Sequence, residues 1–457
     1  MDENQWKGGK PKKLPQTIVS TLANGGGFIF GILLAWSAPA GPQVIEQENF
    51  RFFVTSNQFA WIVALMALGG ALSCVFSGII RSKIGTKLTI LLFGIPIVIG
   101  WILITIPLNP AMLMAGRFLC GISAGCYSYV IPIYVGEVSS NDIRGSMLSL
   151  FQVCLTIGIL FTYIVGHFFN LFILNIVCAT IPIFYSLGFL ILPESASYLI
   201  SRNRENDADN SLKKLRGKHY KTSIEIEDLQ RQNQEFKEQK KNISEIFKTK
   251  STMKAFIIIM LQMTFFQMSG INAFLFFSTT IFIESGIDFE PGMASIIVAS
   301  IQVLASFFSV AFVDRFGRKL ILILAYSLML IGLSGIGTFF ILKDLEFDVS
   351  FLQWLPVTSM SIFMIGFAGG MGPVSYVLLG ELFLQEAKAF VAPFGQVWNF
   401  SLTFVIGLTF SMMTEAMGTG PSFLFFAIFC VLGLLFTIFV IPETKGKTTD
   451  EIQLALR

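Results

Sequence analysis

The sequence predicts an all-α membrane protein, with twelve transmembrane helices arranged as two homologous six-helix bundles. Three observations carry this expectation. Of 457 residues, 54% are hydrophobic and 13% charged, and the mean hydropathy is +0.70; a soluble domain is about a quarter charged. Twelve apolar runs are each long enough to cross a bilayer, which takes about 18 or more residues for roughly 30 Å of hydrocarbon. The polar segments between the runs repeat one another in register. The same composition, with 48 phenylalanines, two histidines and six cysteines, excludes a disordered chain, a disulfide scaffold and a nucleic-acid binder. It also argues against a soluble multidomain enzyme.

The runs fall at approximately 17–37, 57–80, 88–107, 111–135, 146–168, 171–192, 255–283, 293–313, 320–342, 351–380, 389–414 and 422–441. Residues 1–16 are polar with four lysines, and the first run is long enough to span, so a cytoplasmic arm is expected there rather than a cleaved signal. Residues 17–192 and 255–441 make the two bundles, 193–254 a linker and 442–457 a tail. Of 32 Lys and Arg, 29 fall on the side of the arm, linker and tail; Arg51 and Lys343 lie on the other, and Arg117 lies within a span. Positive flanks stay cytoplasmic, which places both termini in the cytosol. The linker is either a solvated tether or a set of packed short helices around Ser211–Lys218 and Ser223–Lys241. All six cysteines lie in runs and read as small buried side chains, with no metal-ligand spacing.

The repeat is specific. Gly85-Thr86-Lys87 after helix 2 answers Gly317-Arg318-Lys319 after helix 8. Glu137 and Arg144 after helix 4 answer Glu381 and Lys388 after helix 10, and Pro193-Glu194-Ser195 answers Pro442-Glu443-Thr444. Three pairs in register indicate duplicated halves, which place a binding site near the midplane between them.

These pairs, with Gly116-Arg117-Phe118 and Gly121, Gln267-Met-Ser-Gly270-Ile-Asn272 and Pro442-Glu-Thr-Lys-Gly446-Lys-Thr, resemble the signature of the sugar porter family of the major facilitator superfamily. Within it the chain looks most like invertebrate facilitated glucose and trehalose carriers. The resemblance implies alternating access in a multi-pass membrane protein, and the plasma membrane is the default location because no targeting signal for another organelle is evident. The resemblance also implies an inner salt-bridge latch at Glu137, Arg144, Asp314, Arg315, Arg318 and Glu381, which would pair across the bundles in the outward-open state. Ser82 and Thr86 stand where the family has an acid and an arginine, and Lys388 replaces an arginine. A weakened latch is therefore expected.

Inside the runs there is no Asp, Glu or Lys, one arginine (Arg117) and one histidine (His167, near the external end). Proton relays are built from intramembrane acids or histidines. Where proton-coupled relatives carry an aspartate opposite Arg117, this chain has Ile32, so uniport of a neutral solute is expected. Amides and aromatic rings suit a sugar's hydroxyls and C–H faces. Gln152, Gln267, Asn272 and Gln302 match family positions that contact sugar; Asn399 and Tyr376 are further candidates. Each amide also reads as interhelical glue. Gln267 and Asn272 share a face only if helix 7 is irregular near Gly270. Gln262 reads as packing. Phe266 replaces a family glutamine, and Ser375-Tyr376 replaces Pro-Trp beside the Gly-rich stretch 366–373 of helix 10. Phe276 and Phe277 occupy external-gate positions, or are core. The expected partners are a small-molecule sugar and membrane lipid, with no cofactor, metal or nucleic acid. A sugar sensor of the same fold is the alternative reading, against which stands the short tail after Pro442.

Overall fold

A computed structural model describes residues 11–45, 52–238, 249–383, 385–447 and 449–456; the side chains of 235–238, 311–314, 385–386, 388–390 and 450 are not described. Twelve spans cross the membrane: span 1 Lys13–Ile45, span 2 Ser56–Ile84, span 3 Thr86–Thr105, span 4 Pro110–Val138, span 5 Arg144–Phe168 and span 6 Leu171–Phe189. The second half repeats them as span 7 Lys250–Ser285, span 8 Pro291–Val310, span 9 Arg318–Asp344, span 10 Ser350–Glu381, span 11 Val391–Met417 and span 12 Thr419–Phe439. Both described chain ends and the linker lie on one face, called here the terminal face.

Local chemistry explains the span ends. Thr55 Oγ1 accepts from Gln58 N at 3.2 Å while Gln58 Oε1 accepts from Thr55 N at 3.1 Å, a reciprocal cap that starts span 2. Asn109 and Asn170 cap spans 4 and 6, accepting from Met112 N and Ile173 N. Span 1 runs further than its apolar run suggests. It is two helices, Lys13–Ala35 and Ser37–Ile45, joined at Trp36. Pro39 cannot donate to Ala35, which breaks the ladder there without ending the span.

Close backbone approach seals the first bundle. A Cβ on Gly31 would stand 2.0 Å from Leu155 O, and one on Gly158 2.1 Å from Phe28 O, so spans 1 and 5 touch through reciprocal glycines. The described part of the linker is packed helix, including Ser223–Glu238; the end of the helix expected to Lys241 lies outside the described residues. Helices Ala196–Ser201 and Glu205–Arg216 share a small core of Ala196, Leu199, Ile200, Ala208 and Leu212. Buried Arg216 donates to Val138 O at 2.6 Å and pairs with Glu225 at 2.8 Å, fastening the linker to span 4.

Between the bundles, span 2 lies along span 11 and span 5 along span 8. Thr156 and Ser306 hydroxyls meet at 3.0 Å across this seam. Towards the face opposite the termini, Tyr163 donates to Leu275 O at 2.9 Å, and His167 Nε2 lies 3.5 Å from Glu290 Oε2. Ser37–Ile45 packs on Ile271–Ser285 at the same level. Near the terminal face Tyr376 keeps 38% of its surface exposed although it lies between the bundles. The seam is thus closed on the opposite face, with Tyr376 partly exposed towards the terminal face.

Candidate functional site

Span 7 breaks at mid-depth into Lys250–Met268 and Ile271–Ser285 because Gly270 adopts φ +83°. A Cβ there would also press on the Phe426 ring at 2.8 Å, so only glycine fits. The break turns Asn272 back towards Gln267: Asn272 Nδ2 donates to Gln267 Oε1 at 2.5 Å and to Thr403 Oγ1 at 3.3 Å. Gln267 Nε2 donates to Asn399 Oδ1 at 2.6 Å. Three of the expected amides therefore form one cluster on spans 7 and 11, and Thr403 joins it as a member the sequence reading missed. An amide has more donors and acceptors than these bonds use, so the cluster can exchange internal bonds for bonds to a hydroxylated ligand.

Span 10 breaks at the same depth. Phe367–Met371 is a π-helical turn, and Gly372 N–H reaches back five residues to Phe367 O. Glycines at 366, 369, 370 and 372 remove the side chains that would oppose the wider turn. Gln152 of span 5 faces this turn, its Nε2 3.9 Å from the position a Gly372 Cβ would take. Gln302 is buried on span 8. Each lies four residues from the Thr156–Ser306 bond. Among the described residues neither glutamine has a hydrogen-bond partner, which leaves both amides for a ligand. Tyr376 and Phe266 meet edge to face at 6.1 Å, and Phe266 packs on Phe367 at 5.0 Å. Phe266 thus forms an aromatic wall with Tyr376 and Phe367.

Gln262 is glue. It donates to Ser375 Oγ at 3.0 Å and accepts from Tyr326 at 3.4 Å, tying span 7 to spans 9 and 10. Ser375 in turn donates to Met371 O at 2.7 Å, so a hydroxyl braces the hinge. Phe276 and Phe277 are buried on the closed side, Phe277 5.2 Å from Phe410 and Phe276 near Gly407 and Ala64 at the seam.

Arg117 is fully buried. Its Nη1 donates to Leu33 O at 2.9 Å, its Nη2 reaches Met66 Sδ at 3.2 Å and its guanidinium lies 5.0 Å over the Trp36 ring. Trp36 Nε1 donates to Asn175 Oδ1 at 2.7 Å. Among the described residues no carboxylate faces Arg117; a carbonyl and an aromatic face take the charge instead.

On the terminal face the expected latch residues pair inside their own bundles. Arg318 Nη2 lies 2.9 Å from Glu381 Oε1, and Thr444 Oγ1 donates to Glu381 Oε2 at 2.6 Å. Glu137 pairs with Arg81 at 3.0 Å, and the same Arg81 Nη1 donates to Thr86 Oγ1 at 3.3 Å. Arg81 supplies a guanidinium beside Thr86, so Glu137 is paired within its own bundle. Arg144 touches Ser139 O at 3.4 Å, and exposed Arg315 offers its carbonyl to Lys445 Nζ at 2.5 Å; among the described residues neither is brought to a carboxylate. The Asp314 side chain lies outside the described residues.

The repeated Pro-Glu pairs have a role the sequence reading did not assign. Glu194 Oε1 accepts from Thr86 N and Lys87 N at 3.1 Å, at the start of span 3; Glu443 accepts from Arg318 N at 3.0 Å and Lys319 N at 3.2 Å, at the start of span 9. Each carboxylate caps a helix N-terminus. Burial pushes the Glu194 carboxyl above its ordinary range despite three amide donors, and the nearby Glu137 charge adds to the rise. Burial also opposes ionisation of Glu443, but four amide donors outweigh it and hold that carboxyl below its ordinary range.

Two six-span bundles around a mid-depth polar seam, with first and fourth spans of the second half broken beside it, define a carrier of the major facilitator type. A family model described as sugar (and other) transporter matches residues 19–456, and the chain belongs to that family. Similar proteins include the facilitated trehalose transporter Tret1 of Polypedilum vanderplanki, 32% identical over 440 residues, covering 96% of this chain and 87% of that one. Tret1 of Culex quinquefasciatus is 31% identical over 439 residues, covering 96% and 85%. Among solved structures, the xylose transporter XylE from E. coli in a partially occluded inward open conformation superposes with a TM-score of 0.79 at 22% identity, covering 95% of this chain and 99% of that one. At that identity the match establishes the fold.

Proposed function

We propose that the protein is a facilitative carrier that moves a neutral hexose or trehalose through the plasma membrane by alternating access, with the terminal face in the cytosol. One observation carries the absence of proton coupling: the buried Arg117 donates to Leu33 O, reaches Met66 Sδ and lies over the Trp36 ring, with no carboxylate partner among the described residues. The amides of Gln267, Asn272, Asn399, Gln152 and Gln302 are the sugar contacts in this reading, with Tyr376 covering a sugar face. The trehalose transporters among its relatives support the choice of solute, and the basic excess on the terminal face supports the orientation. The seam, closed on the opposite face, then corresponds to an inward-facing state. Glu137, Arg318 and Glu381, with Asp314, Arg144 and Arg315, are the groups that would regroup when that face closes.

The test is uptake of radiolabelled trehalose and glucose into proteoliposomes, with and without an imposed pH gradient. Saturable uptake that equilibrates and ignores the gradient is expected. Gradient-driven accumulation would overturn the uniport reading.

A further inference from the structure

Between the linker and the ends of spans 1 to 3 lies a cavity of about 1260 Å³, away from the central amides. Its wall joins two chemistries. One side is cationic, lined by Lys12 at the start of span 1, Lys214 in the last turn of helix Glu205–Arg216 and Lys218 just beyond it. The other side is apolar, with Pro15, Ile84 and Leu88, and Leu88 is 54% exposed at the edge of the hydrocarbon zone.

The cations are held together by backbone. Lys12 N donates to Arg216 O at 2.9 Å, and Gly217, at φ +107°, turns the chain so that the Lys12 methylenes cross it. The neighbouring charges are already matched: Lys213 pairs with Asp209 at 2.5 Å and Arg204 with Asp207 at 2.7 Å. Glu194, also at the wall, is engaged with the amides of span 3. Among the described residues Lys12, Lys214 and Lys218 have no acidic partner, and all three are exposed. Three ammonium groups gathered without a counter-charge fit a phosphorylated anion. The hydrocarbon-level rim on one side fits the acyl end of the same molecule.

We propose that this cavity binds the phosphorylated headgroup of an anionic lipid, whose chains lie on the Leu88 side. Occupancy would tie the linker to spans 1 and 3 through one ligand. The proposal is independent of the transported solute, because its test reads binding and not uptake.

The full chain, in neutral detergent, is titrated with short-chain phosphatidylinositol bisphosphate and, separately, with soluble inositol trisphosphate, each followed by thermal shift. Saturable lipid binding is expected, weakened about tenfold or more in Lys214→Gln/Lys218→Gln. Lys221→Gln, an equal charge change on an exposed residue outside the cavity, should leave it unchanged. The variants are checked first for an unaltered melting point without lipid; Lys12→Gln replaces the double variant if that point falls. Absence of saturable binding, or equal loss in Lys221→Gln, overturns the site. Inositol trisphosphate binding as tightly as the lipid overturns the lipid as its occupant.

Discussion

The two halves break their first span at the same place for different ends. In span 1, Pro39 opens the helix at Trp36, and the gap is filled from within the bundle by Arg117, Trp36 and Asn175. In span 7, Gly270 opens the helix with a left-handed residue, and the gap is lined by amides that face the seam. One break is sealed by a charge, an indole ring and an amide; the other is left with exchangeable hydrogen bonds. A duplicated fold can thus assign rigidity to one copy and ligand contact to the other without altering its outline.

The terminal face repeats the lesson. Both halves cap a helix N-terminus with a Pro-Glu carboxylate and pair a Glu with an Arg, but the donors differ. In the second half Arg318 and Thr444 satisfy both oxygens of Glu381. In the first, Arg81 takes one oxygen of Glu137, while the buried Oε2 has no partner among the described residues. Ser195, which answers Thr444, is used instead to accept from Tyr198 N at the start of a linker helix.

The largest expected effect tests the break. Gly270→Ala places a Cβ at positive φ against Phe426 and should cost about 1–3 kcal/mol of stability. Sugar uptake should fall to background, measured beside a thermal melt; near-normal uptake would show that the Gln267–Asn272 turn does not matter. Next, Arg81→Ala should destabilise the chain by about 2 kcal/mol by stranding Glu137. Adding Thr86→Arg should restore most of this, since it rebuilds the Arg318–Glu381 arrangement. A double variant no more stable than the single one would mean the halves are not interchangeable.

The capping carboxylates sharpen the contrast through pH. Glu443, held below its ordinary value, contributes stability above that value that is lost as pH falls through its lowered folded value. Glu194, held above its ordinary value, contributes stability below that value that is lost as pH rises towards its raised folded value. Melting temperature against pH should therefore lose part of its acid limb in Glu443→Gln. In Glu194→Gln it should lose a fall of opposite sign just above the ordinary carboxylate range. Partial exposure limits each to about 1 kcal/mol or less, and the same sign in both variants would refute the contrast. The smallest effect is Glu290→Ala. Its carboxylate is 73% exposed opposite His167, so stability should change by about 0–1 kcal/mol. The seam on that face should open slightly more often, read as faster labelling of a cysteine placed at Gly41; unchanged labelling would remove His167–Glu290 from the closure.

Legibility followed the range of the interaction. Span number, the duplicated halves and the absence of intramembrane acids were legible because the bilayer selects continuous apolar runs and expels charge, which a linear chain displays directly. The irregular helix at Gly270 was legible because Gln267 and Asn272, five apart, cannot share a regular helical face. Thr403 was missed because nothing in the chain near 403 says that span 11 lies against span 7. Arg81 was missed because motif alignment marks position 86, whereas a guanidinium is long enough to reach Glu137 from five residues away. Glu194 and Glu443 repeat visibly, yet their role depends on amides more than a hundred residues distant, at the starts of spans 3 and 9.

The sequence by itself determined a twelve-span, two-bundle protein and the residue types available to meet a polyol, since composition and period alone answer to the membrane; its repeated motifs carried the resemblance to sugar porters. Tertiary structure decided which amides share a cluster, which arginine serves which glutamate, and which face of the seam is closed. Those depend on how two rigid bundles are docked, and side chains meeting across that docking carry no local trace of it.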